Sequence, residues 1–318
     1  MNILEQLKTQ TKVVADTGDF VSIRSFKTID ATTNPSLILA SANEQKNSSL
    51  IEGAVSYAKQ QSSKHKTQVV LALDKLIVDF GFEILKIVPG RISTETDARL
   101  SFDTNGIIKK AQELISMYEA VKVDRKRVLI KIASTWEGIK AAEQLTKEGI
   151  HCNLTLLFSM PQAIACAEAG VQLISPFVGR ILDWHLKNSD DKNYTSPMEP
   201  GVLLVKNIFN YYKKFGYSTE IMAASFRNIG EITELSGCDL MTISPKLLAE
   251  LKENEGMLER KLLAERANDV AIEKMELDEK KFRWLMNEDA MATEKLADGI
   301  RKFTEDTLKL EQIIIKRL

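Results

Sequence analysis

The stretch Arg127–Thr135, RVLIKIAST, sets a lysine in the middle of a run that is otherwise apolar on both faces. In an extended chain Val128, Ile130 and Ile132 point one way, and Leu129, Lys131 and Ala133 the other. A strand without a polar face is covered on both sides, as parallel strands flanked by helices are. Desolvating an ammonium is costly, so a lysine placed there calls for a chemical reason.

Outward from this strand the chain alternates short apolar runs with capped helices. The run STWEGIKAAEQLTKEG has Ser134 and Glu137 at capping-box spacing and Gly149 as its stop. HCNLTLLF reads as the next strand, SMPQAIACAEAG as a helix with Ser159 at its cap and Gly170 at its end, and VQLISPF as a strand. A polar insertion, KNSDDKNYTSPMEPG, precedes a helix ending near Gly216; TEIMAASF, a helix RNIGEITELSG and CDLMTIS follow. Upstream, KVVADTG, IDATTN and RISTE are strands, and a long helix from Thr67 stops at Pro89–Gly90. Eight βα units predict an α/β fold, a single (β/α)8 TIM barrel spanning 1–318, with additional N- and C-terminal helices. An open doubly wound sheet is the alternative, but no G-x-G-x-x-G or Walker glycine loop follows any strand. From about Gly256 the chain is charged and reads as a helical extension, 256–318, packed on the barrel. In its last helix Leu296, Ile300, Phe303, Leu310 and Ile314 follow near-heptad spacing, which suits a helix laid on the barrel wall better than a partner-seeking seam.

The chain has 318 residues, 44% hydrophobic, with a formal net charge of -1. That balance gives no support for a nucleic-acid partner or an anionic membrane surface. No apolar run spans a bilayer, and MNILEQLKTQ is an amphipathic helix rather than a signal peptide. Cys152, Cys166 and Cys238 are odd in number and far apart, which fits reduced thiols in a cytoplasmic protein. His65, His151 and His185 are scattered, so no metal site is read and no cofactor is expected.

Polar residues gather at the carboxyl ends of the strands, where barrel enzymes build their sites. Asp16 closes the first strand, Asn34 the second, Ser175 the sixth and Ser225 the seventh; Asn153 and Thr155 share a face, as do Arg91, Ser93 and Glu95. Singly each has a bland reading. Lys131 could be an edge residue, Asp16 a turn cap, Asn34 a turn residue before Pro35, and Glu95 a partner of Arg91 or Arg99. Arg180 and Arg227 follow strand ends, where substrate phosphates dock in barrels. Seven strands delivering polar groups to one end favour a pocket. An amine held among apolar groups favours its neutral form, which attacks a carbonyl to give a Schiff base. Asp16 and Glu95 supply carboxylates for the proton transfers, and the protonated imine is the electron sink. The residues alone reach a Schiff-base aldolase-type barrel.

VVADTGD, DATTNPSLI, GRISTETDARLSFD, RVLIKIASTWEGI, CNLTLLFS, LISPFVGRILDW and AASFRNIGEI also resemble, in order, the motifs of the transaldolase family, from about Val13 to Leu251 and again through FRWLMNEDAMATEKLADGIRKF. RKLLAERANDVAIEKMELDEKK carries the least resemblance. The resemblance implies a cytoplasmic transferase of the pentose phosphate pathway that moves a dihydroxyacetone unit from sedoheptulose 7-phosphate to glyceraldehyde 3-phosphate, giving erythrose 4-phosphate and fructose 6-phosphate. It further implies Lys131 as the Schiff-base lysine, Asp16 as the acid/base at the cleaved bond, and Glu95 with Thr155 at imine formation. Asn34, Asn153 and Ser175 would hold hydroxyls, Phe177 would line the pocket, and Arg180, Ser225 and Arg227 would bind phosphate. It implies a homodimer as well. The rivals are a fructose 6-phosphate aldolase-type lyase, whose members are shorter and carry Gln and Tyr at Glu95 and Phe177, and a catalytically inactive barrel acting as a binding protein.

Overall fold

Eight parallel strands pair in chain order, and the first closes on the eighth through Lys12–Leu240 to Ala15–Ile243. They are β1 (Lys12–Asp16), β2 (Asp30–Thr32), β3 (Ile92–Glu95), β4 (Val128–Ala133), β5 (Cys152–Leu157), β6 (Leu173–Pro176), β7 (Glu220–Ala223) and β8 (Leu240–Ile243). Helices separate every consecutive pair, so the closed barrel read from the alternation is the fold. The structure, a computed structural model, describes residues 1–189 and 192–318. Asp190 and Asp191, in the polar insertion before β7, lie outside the described residues.

The strand faces explain the pattern of burial. Val13, Ala15, Ile92, Val128, Ile130, Ile132, Leu154, Ile174 and Ile221 point outward and join the main core under the helices. Alternate residues point inward in three tiers. At the amino end Arg91 pairs with Asp30 at 3.1 Å and Glu220 at 2.7 Å, and Lys12 adds to Glu220 at 3.1 Å. Above them Val14, Leu129, Leu173, Met222 and Leu240 form a dry plug of their own. Two residues beyond Val14, Leu129, Leu173 and Leu240 come Asp16, Lys131, Ser175 and Thr242, joined by Thr32 of β2, Glu95 of β3 and Asn153 of β5, with Ser93 two residues below Glu95. The plug separates the two charged tiers, which keeps the upper one shielded from solvent entering through the base.

Several local expectations are corrected. Thr135, not Ser134, caps the helix Trp136–Lys147: its Oγ1 accepts from the Gly138 amide at 2.9 Å, while Ser134 Oγ donates to the Thr155 carbonyl at 2.8 Å. Alternation along β5 breaks where its register with β6 shifts between Leu154 and Leu157, and Leu156 takes φ 53°. Such a bulge re-aims the strand beside a site. The region after Gly256 is not helical throughout. Residues 257–278 form no α-helix and, apart from a 3-10 turn at Ala264–Asp269, no regular structure, because partners elsewhere satisfy the backbone. Ser236 O accepts from Leu262 N at 2.9 Å, Lys214 Nζ donates to the Val270 carbonyl at 2.6 Å, and Tyr211 OH accepts from the Met275 amide at 3.0 Å.

The last helix, Ala290–Ile315, consumes its apolar stripe within the chain. Leu310 and Ile314 pack with Ile38, Ile51, Leu76 and Phe80, while Ile300 and Phe303 enter the main core. Its path differs from a helix on the wall alone. Gly299 passes so near β5 that a Cβ there would lie 2.5 Å from Leu156 Cδ2, and one turn on Phe303 reaches over the barrel mouth. No helix among the described residues is long and apolar enough to cross a membrane.

Candidate active site

Lys131 comes from the middle of β4, and the barrel wall leaves it 4% exposed. Its Nζ stands 3.1 Å from Glu95 Oε2 and donates to the Thr33 carbonyl at 3.3 Å. The register makes this pairing obligatory, since Glu95 lies directly opposite Lys131 in the β3–β4 ladder. Glu95 is therefore the partner of Lys131 rather than of Arg91 or Arg99, which pair with Asp30 and Glu220 and with Asp97 and Glu311. The surround is accordingly not purely apolar: a carboxylate faces the ammonium. A proton passing from Lys131 to Glu95 would leave a neutral amine beside a carboxylic acid and conserve the net charge of the pair.

Asp16, across the barrel on β1, is held by hydroxyls. Thr32 Oγ1 donates to Asp16 Oδ1 at 3.0 Å, and the Thr32 and Thr242 hydroxyls are 2.7 Å apart. With the Thr32 hydrogen committed to Asp16, Thr242 donates to Thr32 and the three form a directed chain. Burial raises the Asp16 carboxyl above the usual range, against the lowering effects of Lys131, Thr32 and Arg180. Burial likewise raises Glu95, against Lys131 and Arg180, with Asp16 adding to the rise. Both carboxyls are thus moved toward the range in which an acid or base works near neutrality. The turn-capping alternative for Asp16 falls to Asp19, whose side chain accepts from the Ser22 amide at 3.0 Å.

Beside the lysine, Asn153 Nδ2 donates to Ser93 Oγ at 3.0 Å and Asn153 Oδ1 accepts from Ser175 Oγ at 2.7 Å. These bonds fix the amide. Thr155 Oγ1 is buried without a hydrogen-bond partner, a polar atom that a reacting group or water would satisfy, while Glu95 Oε2 is taken up by the Lys131 ammonium. Asn34 serves two ends at once: its Oδ1 accepts from the Leu37 amide at 2.9 Å as the cap of the helix Pro35–Ala42, and it also lines the cavity.

Asp16, Asn34, Lys131, Ser175, Phe177, Arg180 and Ser225 line one opening of about 370 Å³, solvent at its mouth included. Thr32, Met222, Ala224 and Thr242 complete it. Phe177 packs edge-on against Phe158 at 5.7 Å and carries the Arg180 guanidinium 4.9 Å above its ring. Arg180 Nη1 is buried without a partner, and burial together with the Arg227 charge lowers its pKa. Arg227 is not among the lining residues: it is exposed and held by Asp183 through two bonds, of 3.0 and 2.6 Å. An apolar groove lined by Phe102, Trp136 and Phe282 holds the Glu137–Arg283 ion pair but no convergent acid, base and nucleophile.

A family model described as transaldolase/fructose-6-phosphate aldolase matches residues 13–314. The chain belongs to that family. It is 60% identical to a transaldolase of Marinomonas sp. (strain MWYL1), over 98% of both chains. It is 58% identical to a probable transaldolase of Drosophila melanogaster over 99% of this chain and 95% of the relative, and 56% identical to the transaldolase of Homo sapiens over 99% and 94%.

Beyond the residues read from the sequence, the structure adds Thr32, Thr242 and Phe303 to the site. The Phe303 ring lies 5.8 Å from Lys131 Nζ and 5.6 Å from the Arg180 guanidinium. Thr32 and Thr242 each lie two residues past an inward residue of β2 or β8, so the period-two count used for Lys131 would have found them. Nothing local marks Phe303, which arrives from the far end of the chain.

Proposed function

We propose that the chain is a transaldolase that transfers a dihydroxyacetone unit between sugar phosphates through an imine on Lys131. The observation that carries this is the buried Lys131–Glu95 pair facing Asp16 across a closed barrel, with the unpartnered Arg180 at the rim. Lys131, once neutral, adds to the ketone carbon of the donor. Glu95 returns the proton through Thr155, water leaves, and a protonated imine forms. Asp16 takes the proton from the hydroxyl beside the bond to be broken. The bonding electrons flow into the imine, an enamine remains on Lys131, and the shortened aldose departs. An aldehyde acceptor then reverses these steps. Asn34, Asn153 and Ser175 hold the fragment's hydroxyls, and Arg180, Ser225 and Arg227 hold phosphate. The barrel and its C-terminal region work as one unit, in the cytoplasm and as a homodimer, which a sedimentation measurement tests.

Transfer is favoured over hydrolytic release by Phe177, because a phenyl ring cannot relay a proton to the enamine carbon whereas a phenol can. The test is to follow erythrose 4-phosphate with a coupled assay and free dihydroxyacetone from fructose 6-phosphate, with and without glyceraldehyde 3-phosphate. Without acceptor the wild type should release a small fraction of its transfer rate, and Phe177→Tyr should release more. Release as fast as transfer would replace this reading with a lyase.

The two arginines should differ. A charge-assisted hydrogen bond contributes about 1.5–3 kcal/mol, so Arg180→Ala should raise KM for fructose 6-phosphate roughly 10- to 100-fold while altering dihydroxyacetone turnover little. Arg227→Ala should act in the same direction but less, since Arg227 must first exchange its bonds with Asp183. Equal losses on both kinds of substrate would remove the phosphate role.

A further inference from the structure

Behind the rim that carries Ser225 and Arg227, two carboxyls are buried against each other. Glu199 ends the loop before the helix Pro200–Lys214 and is 4% exposed; Glu231, in the first turn of the helix Ile229–Glu234, is wholly buried. Glu231 Oε2 accepts from the Arg227 amide at 2.6 Å, and Asn228 Nδ2 donates to Glu199 Oε1 at 3.4 Å. The remaining oxygens, Glu231 Oε1 and Glu199 Oε2, are buried and receive no N–H or O–H from any other group. Two buried carboxylates cannot both stay ionised at hydrogen-bond distance, and one proton between them satisfies both orphaned oxygens.

The surrounding charges are engaged elsewhere. Arg227 pairs with Asp183 of the helix Val178–Asn188, and Lys206 of the helix Pro200–Lys214 pairs with Glu234 at 2.9 Å. Lys246, on the helix Pro245–Glu253 packed beside Glu231's own helix, is exposed. Ser196 and Asn228 are the neutral neighbours of Gly230. Hence no cation among the described residues forms a salt bridge to either carboxyl, and a proton takes that place.

What the pair holds is the strap Ala224–Asn228. Its first half hangs from the helix after β6, since the Val178 and Gly179 amides donate to the Ala224 and Ser225 carbonyls at 2.9 and 3.1 Å. Ser225 sits at φ 62°, a conformation a non-glycine residue keeps only when its surroundings impose it. The second half is anchored through the Arg227 amide to Glu231.

We propose that Glu199 and Glu231 share one proton and so act as positioning residues for the phosphate-binding strap, which loosens when that proton is lost; this rests on the phosphate reading of Ser225 and Arg227. The proton leaves at mildly alkaline pH: burial, and then Glu199, push Glu231 up to about 8 against the lowering effect of the Arg227 amide. A group raised in this way is protonated below that pH, so the anchored strap persists on the acid side and is lost on the alkaline side.

Glu231→Gln supplies both bonds without a titrating proton, since its amide oxygen can accept from Arg227 and its NH2 can donate to Glu199. KM for fructose 6-phosphate in the wild type should rise about three- to tenfold between pH 7 and pH 9. The profile should be flat in Glu231→Gln, and Glu231→Ala should have a raised KM throughout. Dihydroxyacetone turnover, which needs no phosphate grip, should not show the rise. The difference infrared spectrum of wild type minus Glu231→Gln should contain a protonated-carboxyl band at pH 7 that vanishes near pH 8. Absence of that band, persistence of the KM rise in Glu231→Gln, or equal losses on both substrates in Glu231→Ala would each overturn the proposal. Failure of the phosphate reading itself shows separately, as an unaltered KM in Arg227→Ala.

Discussion

Lys131→Arg should abolish transfer, with a fall on the order of 10⁵- to 10⁶-fold, the scale seen when a covalent nucleophile is removed. Guanidinium keeps charge and hydrogen bonds but stays protonated, so a purely electrostatic role would survive the change and a nucleophilic one would not. The geometry sharpens the expectation. Lys131 reaches Glu95 at 3.1 Å, a partner able to take its proton inside the cavity, whereas arginine has no accessible neutral form to hand over. Borohydride added with fructose 6-phosphate should inactivate the wild type irreversibly and leave a reduced three-carbon adduct on the peptide containing Lys131. An adduct on any other lysine would remove the nucleophile assignment.

Asp16→Asn should be the next most damaging change, lowering transfer roughly 10²- to 10⁴-fold, the usual cost of a lost general base. It should also dissociate two events that Lys131→Arg removes together. On the roles proposed above for Glu95 and Thr155 in imine formation, Asp16→Asn should still trap with borohydride and fructose 6-phosphate, now retaining the full six-carbon chain because the bond is not cut. The amide keeps the bond from Thr32, since its oxygen still accepts, which limits structural disturbance. Glu95→Gln should show the opposite signature, with slow trapping. Because burial raises Asp16 above the usual carboxylate range, its basic form is lost as pH falls through that raised value. The acid limb of the transfer profile should therefore lie above ordinary carboxylate titration and be absent in Asp16→Asn. Mass analysis of the trapped peptide distinguishes three carbons from six, and three carbons on Asp16→Asn would reassign the base.

How far the chain could be read follows from how local each signal is. Strand period and helix stops are written in neighbouring residues, so the barrel emerged from Arg127–Thr135 and its repeats, and the lysine's inward direction came with the alternation. Lys131 and Glu95 meet because two strands lie in a given register, which no single strand displays. The Ser134 cap failed for a related reason: two adjacent hydroxyls compete for one helix start, and the strand's exit commits Ser134 to the Thr155 carbonyl. Arg227 was placed by its position after a strand end, but its bond to Asp183 depends on where the neighbouring helix presents a carboxylate. In the charged segment after Gly256, composition suggested helix. Hydrogen bonds to Ser236, Lys214 and Tyr211 offered the backbone another solution.

The Phe303 ring over Lys131 gives the chain a sequence in time. Synthesis runs from the amino terminus at roughly 5–20 residues per second, so β8, the strand that closes the barrel, is made several seconds before the helix Ala290–Ile315 is complete. During that interval the nascent chain has every strand of the barrel and still lacks the aromatic ring that lies over the lysine and the rim arginine. The order of the elements along the chain thus makes the covering ring the last part of the cavity to arrive, after every strand whose residues it covers.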